Sequence, residues 1–520
     1  PAHLTGRPAG ANQVVGYHRK MALDPRTPVL VGTGQVNQRT DADTPFSEIP
    51  EPIDLMEQAA RLAAGDAGAA ELLGAIDTIS VANIFSWRYR DPGVLLGERL
   101  GAVPKRTFYT GPSGNSPQLL VNHAAADILA GDADVVLIGG AEMWRSRNKM
   151  MATGVQPTWT IQDESVAEAT VLGGRMDQVG GAETAIGLIS PGHVYPLFEE
   201  AIRIAGGASI ADHRAAMSQL WQRFNAVAVT NGHAWSNDAY TAEEIATPGP
   251  DNRWISSPYT KLMNSNNMVE QGAVVLLTSV ETALRLGISK DRWIFPLAGA
   301  QANDTFALSE RHELHRSPAI RLAGRRAFEI AGLGTDDVEL VDIYSCFPSA
   351  VQVAAAELGL ALDDPARPLT VTGGLTFAGG PWCNYVTHSI ATMAERLRER
   401  PGAKGLITAN GGYLTKHALG VYGTEPPASG FAYEDVQADV DQEPRTEAAD
   451  GYTGTAAVEA WTVNYGRDGS PFQTFVSVRT PTGARTFAKI DDRDASAHIA
   501  DTDIAGASIE VAADGSARLN

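Results

Sequence analysis

Three short stretches decide how this chain folds: Val338-Glu-Leu-Val-Asp-Ile-Tyr-Ser-Cys-Phe347, Gly373-Gly-Leu-Thr-Phe-Ala-Gly-Gly-Pro-Trp382 and Gly405-Leu-Ile-Thr-Ala-Asn-Gly-Gly412. Each joins a short apolar run to Gly or Pro, the pattern of buried strands that end in close-approach loops. A weaker copy of the plan lies earlier. Ile76-Asp-Thr-Ile-Ser-Val-Ala-Asn-Ile-Phe85 parallels the first stretch, and Val135-Val-Leu-Ile-Gly-Gly140 parallels the third. An Ala-rich helix is predicted upstream of each copy, Pro52 to Ala64 closed by Gly65 and Pro318 to Ala331 closed by Gly332. Proline in the first turn and glycine past the last are the punctuation expected of helices.

Working outward, Pro28-Val-Leu-Val-Gly-Thr-Gly34 reads as a first buried strand. Its Gly32-Thr-Gly34 lacks the third glycine and the immediate helix that a dinucleotide fingerprint needs. Thr107 to Pro117 leads into a helix over 118 to 130, and Val135 to Ile138 follows as a strand. Residues 141 to 270 read as an irregular insertion rich in Gly, Met, Trp and Asn, with an amphipathic helix over 213 to 226. Glu270 to Thr278 reads as the last strand of the first half. Past Pro426-Pro427 an acidic stretch runs to Asp450. Alternating residues from Val458, a turn at Gly466 to Gly469, and strands over 474 to 478 and 485 to 489 then describe a small antiparallel β domain, with an OB-like barrel as one form it can take.

At 520 residues the chain exceeds one core, and its 44% hydrophobic and 20% charged content is that of an ordinary globular protein. A net charge of -20 argues against nucleic acid and anionic membranes as partners, since the overall field repels both. Two cysteines, Cys346 and Cys383, give no disulfide framework, which points to the reducing cytoplasm. No apolar run is long enough to span a bilayer. Residues 1 to 20 lack a signal peptide's apolar block and read as a disordered leader or tag. His312 and His315 do not have the spacing of a zinc helix, and no third ligand is evident, so no metal is assigned. Ser113 and Ser116 do not lie in a G-x-S-x-G elbow, which leaves a serine hydrolase as the weakest reading.

The duplication and its three loops resemble the thiolase superfamily, from Thr27 to about Thr424. The nearest flavour is that of the sterol-carrier-protein-linked thiolases, and above all the type 1 thiolase-like proteins with an added C-terminal domain. The resemblance implies an α/β chain with a duplicated thiolase fold. Residues 21–285 would form the first half, with a capping insertion over 141–270, residues 286–425 the second half, and 426–520 the added β domain. It implies acyltransferase-type handling of CoA thioesters in lipid metabolism, with coenzyme A or acyl-CoA as ligand.

The reactive residues are missing. The family's nucleophilic cysteine falls at Gly114, the histidine of its Gly-His-Pro loop at Gly380 and its second cysteine at Asn410, while Tyr344 stands where the family has Asn or His. Conventional thiolysis is therefore not expected. The alternatives are a retro-aldolase acting on a β-hydroxyacyl-CoA, as in relatives with a tyrosine at the Tyr344 position, and a non-catalytic CoA-binding protein. The candidate catalytic residues are Tyr344, Asn410 and His388. Gly114, Ser116, Gly379, Gly380, Gly411 and Arg145 are candidates for ligand binding, with Arg147 and Lys149 nearby. Glycine at the two lost positions predicts a cleft roomier than a thiolase's. Family habit predicts a homodimer through the edge strand near Arg106 to Tyr109, with a monomer as the alternative if the C-terminal domain covers surface.

Overall fold

The computed structural model describes residues 23–173 and 179–520. The leader, residues 1 to 20, lies outside the described residues. Strands are numbered in chain order and fall into three sheets.

The first sheet holds β1 (Pro28–Asn37), β2 (Thr78–Val81), β3 (Arg106–Thr110), β4 (Val135–Glu142), β5 (Thr170–Leu172) and, beyond the short hairpin β6 (Trp254–Ser256) and β7 (Tyr259–Thr260), β8 (Gln271–Ser279). Its order is β1-β8-β4-β2-β3-β5. The second sheet holds β9 (Phe295–Asn303), β10 (Leu340–Asp342), β11 (Lys404–Gly411), β12 (Lys416–Gly423) and β13 (Ala432–Asp435), in the order β10-β11-β12-β9-β13. Both sheets are mixed, with antiparallel pairs at β1–β8, β8–β4, β11–β12 and β12–β9.

Two central helices, Ser116–Ala130 and Tyr385–Arg398, are largely buried and in contact with each other, and each touches strands of both sheets. This is the duplicated plan expected from the sequence. The second helix buries Tyr385 through Ala394 without a break, so it is apolar and polar alike on every side. Its Ser389 hydroxyl donates to buried Asp342 of β10, which also accepts from the Thr370 hydroxyl and the Val371 N–H.

The helix on Pro52 runs to Ala67, one turn beyond the expected Ala64. It ends at Gly68 in the left-handed conformation, while Gly65 lies inside it. The glycines of Gly32-Thr-Gly34 serve packing. A Cβ on either would overlap the carbonyl of Ala63 or Ala59 on that helix. The second Ala-rich helix is Pro318–Ala331, capped by left-handed Gly332 as expected. The insertion is far more helical than its composition suggests, with helices Pro191–Gly206 and Ile210–Thr230.

The edge of β3 is covered from within. β5 pairs parallel to it at Phe108–Thr170, Tyr109–Val171 and Thr110–Leu172. The cover therefore comes from the insertion, where a second subunit was expected and the C-terminal domain was the alternative.

The third sheet holds β14 (Gly454–Tyr465), β15 (Pro471–Arg479), β16 (Arg485–Ile490), β17 (Ser508–Val511) and β18 (Ala517–Leu519), in the order β16-β15-β14-β17-β18. A parallel bridge between Lys489 and Ser516 brings its two ends together around a core of Val463, Val476, Val478, Ile490 and Ile509. The hairpin β6–β7 joins it through Ser256 and Asn464. The seam is held by charge. Arg485, fully buried, forks onto Glu459 at 2.7 and 2.8 Å and donates to the carbonyls of Leu308, Arg311 and His312. No helix among the described residues is long and apolar enough to cross a membrane.

Candidate functional site

The turn Gly111–Asn115 delivers the chain into the helix Ser116–Ala130, with Pro117 in its first turn. The ends of β10 and β11 meet it from the second half. Gly114 is the point of closest approach. A Cβ there would overlap both the Tyr344 hydroxyl oxygen and the Asn410 carbonyl oxygen. A Cβ on Gly411 would likewise overlap the Ser113 hydroxyl. The expected roomier cleft is therefore absent at this point. The volume that a side chain would take is filled by the phenol of Tyr344, so glycine here is a packing requirement.

Tyr344 is fixed by its backbone N–H to Thr408 Oγ1 at 3.0 Å and by an edge-on contact with the Tyr385 ring at 5.5 Å. Tyr195 donates its proton to the Gly412 carbonyl at 3.0 Å, so it accepts from the Asn410 amide at 2.9 Å and from the Leu414 N–H at 3.2 Å. The orientation of Asn410 follows from this. Its Nδ2 donates to the Tyr195 oxygen and, at 3.9 Å, to Cys346 Sγ, and Oδ1, a buried acceptor, has no partner among the described residues. Ser113 turns its backbone N–H to Cys383 Sγ at 3.2 Å and its hydroxyl to Asn115 Oδ1 at 2.5 Å.

Burial dominates the electrostatics. It pushes the Cys346 and Cys383 thiols up to about 12 and raises the Tyr344 and Tyr195 phenols well above their ordinary range. All four are neutral near pH 7. A neutral buried thiol is a poor nucleophile, and a neutral phenol can donate a proton but cannot accept one.

The structure brings together Gly114, Ser116, Tyr344, Asn410 and Gly411. It places the other candidates elsewhere. His388 bonds Gln35 Oε1 through Nδ1 at 2.9 Å, and burial pulls it down to about 3. Gly379 takes a left-handed φ of 104° against Gln271. Gly380 spends its N–H on Asn266 and its carbonyl on Asn267, each at 2.9 Å. Arg145 donates to the Thr40 carbonyl at 3.0 Å, and Lys149 donates to that of Ala42. Ser113, Tyr195 and the two cysteines complete the centre. Only the loop positions of Ser113 and the cysteines were visible in the sequence, and Tyr195 arrives from the insertion with no local signal.

Beside Gly111 opens a groove of ≈ 590 Å³ lined by Phe85, Trp87, Tyr109, Arg88, Arg90 and Arg147 among others. Trp382 stands behind it with a left-handed φ of 46°, flanked by Phe85 at 4.8 Å and Trp144 at 5.1 Å. A tryptophan held in that conformation carries backbone strain that the surrounding packing must offset. Glu142, under the groove, accepts from the Phe85 and Ser86 N–H groups, and burial still raises it to about 7. Aromatic faces and guanidinium groups in a space of this size suit a ligand with a planar ring and phosphates.

Comparison with known proteins adds two family matches. Residues 435–516 match the thiolase-like protein type 1 additional C-terminal domain, and residues 300–386 match the thiolase C-terminal domain-like family. A monomeric SCP2-thiolase-like protein type 1 from Mycobacterium smegmatis is 32% identical, with a TM-score of 0.81 over 96% of this chain and 100% of that one. The Ltp2–ChsH2(DUF35) aldolase is 18% identical, with a TM-score of 0.58 over 77% of this chain and 98% of its own, a likeness of fold. An acetyl-CoA acetyltransferase of Methanocaldococcus jannaschii is 23% identical over 265 residues, 51% of this chain; the match spans only 60% of that relative's length.

Proposed function

Since this chain belongs to the type 1 thiolase-like proteins of the thiolase superfamily, we propose that it handles CoA thioesters by binding them, without the covalent turnover of a thiolase. The overlap at Gly114 carries the reading. The position that would hold an acyl group has no side chain and no room for one, and the neighbouring thiols are neutral. Asn410 presents an acceptor, so it would receive a hydrogen bond from the ligand rather than steady an oxyanion. The groove beside Gly111 fits the nucleotide and phosphates of CoA, with Arg147 and its neighbours as phosphate partners and Arg145 behind them. The backbones of Gly114, Ser116 and Gly411 would border the thioester end. Gly379 and Gly380 hold the opposite turn in place, and His388, neutral and paired with Gln35, supports the helix.

In this reading the domains divide as the duplication suggests, and the C-terminal strands form an OB-like barrel: β14 pairs with β15 and β17, and β16 meets β18 in parallel. The protein works as a soluble cytoplasmic monomer, because the edge used for pairing is taken by β5.

A second reading rests on Tyr344. Its neutral phenol at the centre suits proton donation in a retro-aldol cleavage, the activity that the aldolase relative's name carries.

Calorimetry with CoA and a thiolysis assay with acetoacetyl-CoA test both. Binding without thiolysis is expected, and Arg147→Gln should weaken the binding. Turnover in the ordinary range of about 1 to 1000 per second would overturn the binding-only reading. Absence of binding by any CoA species would remove both readings. Cleavage of a β-hydroxyacyl-CoA that is lost in Tyr344→Phe would favour the second.

A further inference from the structure

Beside the β11–β12 turn lies a second cavity of ≈ 200 Å³ between the start of the helix Pro318–Ala331 and the segment around Glu443 and Arg445. Four arginines line it, and three are already neutralised. Arg316 pairs with Glu357 at 2.6 Å, Arg321 with Glu443 at 2.8 Å, and Arg445 with Asp441 at 2.9 Å.

Arg311 is different. It is 4% exposed, and its guanidinium spends only Nη2, on the Tyr413 carbonyl at 2.6 Å and the Thr415 hydroxyl at 3.0 Å. The Nε and Nη1 donors have no partner among the described residues. Five N–H bonds less two leaves three charge-bearing donors unmade, a costly state for a buried cation. The Phe198 face at 5.3 Å compensates only in part. Thr305, also on the cavity wall, carries a buried hydroxyl without a partner among the described residues.

Asp304, on the same wall, acts on Arg311 through its charge but makes its hydrogen bonds to other groups. Asp304 accepts from the Ser317 hydroxyl and from the Ala319 N–H at 3.1 Å, and it lies 3.5 Å from His417. The first-turn amides of the helix are thus already satisfied, by Asp304 and by Ser317. A small group able to accept several hydrogen bonds at once would answer the cavity's unmet donors, and a negative charge on it would also answer the Arg311 cation.

We propose that this cavity binds a compact oxyanion, a single phosphate or carboxylate group, seated on the Arg311 guanidinium with the Thr305 hydroxyl as a second donor. The site is independent of the CoA reading, since it shares no lining residue with the groove at Gly111.

The test is calorimetric titration of the full chain with inorganic phosphate and, separately, with acetate, in chloride at matched ionic strength. Saturable one-site binding of at least one ion is expected, and the better ion identifies the group. Arg311→Gln should weaken it about tenfold or more, the scale of charge-assisted hydrogen bonds. No saturable binding of either ion by the parent chain would overturn the proposal, as would undiminished affinity in a folded Arg311→Gln variant. If that variant does not fold, Thr305→Val replaces it: a several-fold loss supports the site, and unchanged affinity rejects it.

Discussion

The centre at Gly114 and the seam at Arg485 are both buried and both polar, yet they are held together in opposite ways. At the centre, phenols, thiols and an amide are packed by shape, each kept neutral by burial. At the seam, a buried guanidinium and a half-buried carboxylate are held as ions, each with its hydrogen bonds made. The first arrangement tolerates no added volume, and the second tolerates no missing partner. At Gly114 the chain keeps a tight fit. It places its buried ions where the added domain docks.

The largest effect is expected at the seam. Arg485→Met leaves Glu459 without its main partner and takes one donor from each of the carbonyls of Leu308, Arg311 and His312. Breaking a buried pair from one side costs about 3–5 kcal/mol, readable by denaturant unfolding of the full chain. A loss under about 1 kcal/mol, the scale of a surface pair, would erase the contrast.

Next comes the centre. Gly114→Ala should cost about 1–3 kcal/mol through overpacking. Tyr344→Phe removes the oxygen it would strike, so the double variant should recover part of that loss. Strictly additive costs would mean that the turn relaxes elsewhere and that shape does not govern this point.

Acid separates the two regions further. Burial would raise Glu459, but the Arg485 and Arg479 guanidiniums outweigh it and hold the carboxyl at about 2, against an ordinary 4.5. A depressed acid contributes stability above its unfolded value and loses it as pH falls through its folded value. Stability should therefore decline from about pH 4.5 to about pH 2, and the decline should be shallower in Arg485→Met. A pH profile identical in both proteins would break the assignment.

The smallest effect is a non-event. With both thiols near 12 and buried, iodoacetamide at mildly alkaline pH should label neither Cys346 nor Cys383 in the native chain and both in denaturant. Rapid native labelling of Cys383 would show that the centre opens.

Much of the scaffold was legible because its signals are local. Pro318 and Gly332 punctuate a helix whatever surrounds it, and the alternation from Val458 marks a strand by itself. Gly65 misled because a helix can carry a glycine inside, and only the left-handed turn at Gly68 ends it. The insertion showed its helix over 213 to 226 but hid the one before it, because Pro196 interrupts the pattern of Pro191–Gly206. At the centre, the glycine at position 114 was readable, but its consequence was not. Whether an absent side chain leaves a hole depends on what leans in, and Tyr344 lies 230 residues away in sequence. Arg311 sits in a run that looks solvated, Arg311-His-Glu-Leu-His-Arg316. Its burial is decided by Phe198, Tyr413 and Thr415, which no window around it contains.

The three residues of β5 carry a thermodynamic consequence. An edge strand closed by a second subunit is closed by mass action, and dilution reopens it. β3 is closed by its own chain, where the partner's effective concentration is fixed by the tether and not by the amount of protein present. The first sheet should therefore stay complete at any dilution. The melting temperature of the full chain should not shift between nanomolar and micromolar protein, and neither scarcity nor abundance in the cell would alter whether the loop beyond β3, with Gly114 at its apex, keeps its shape.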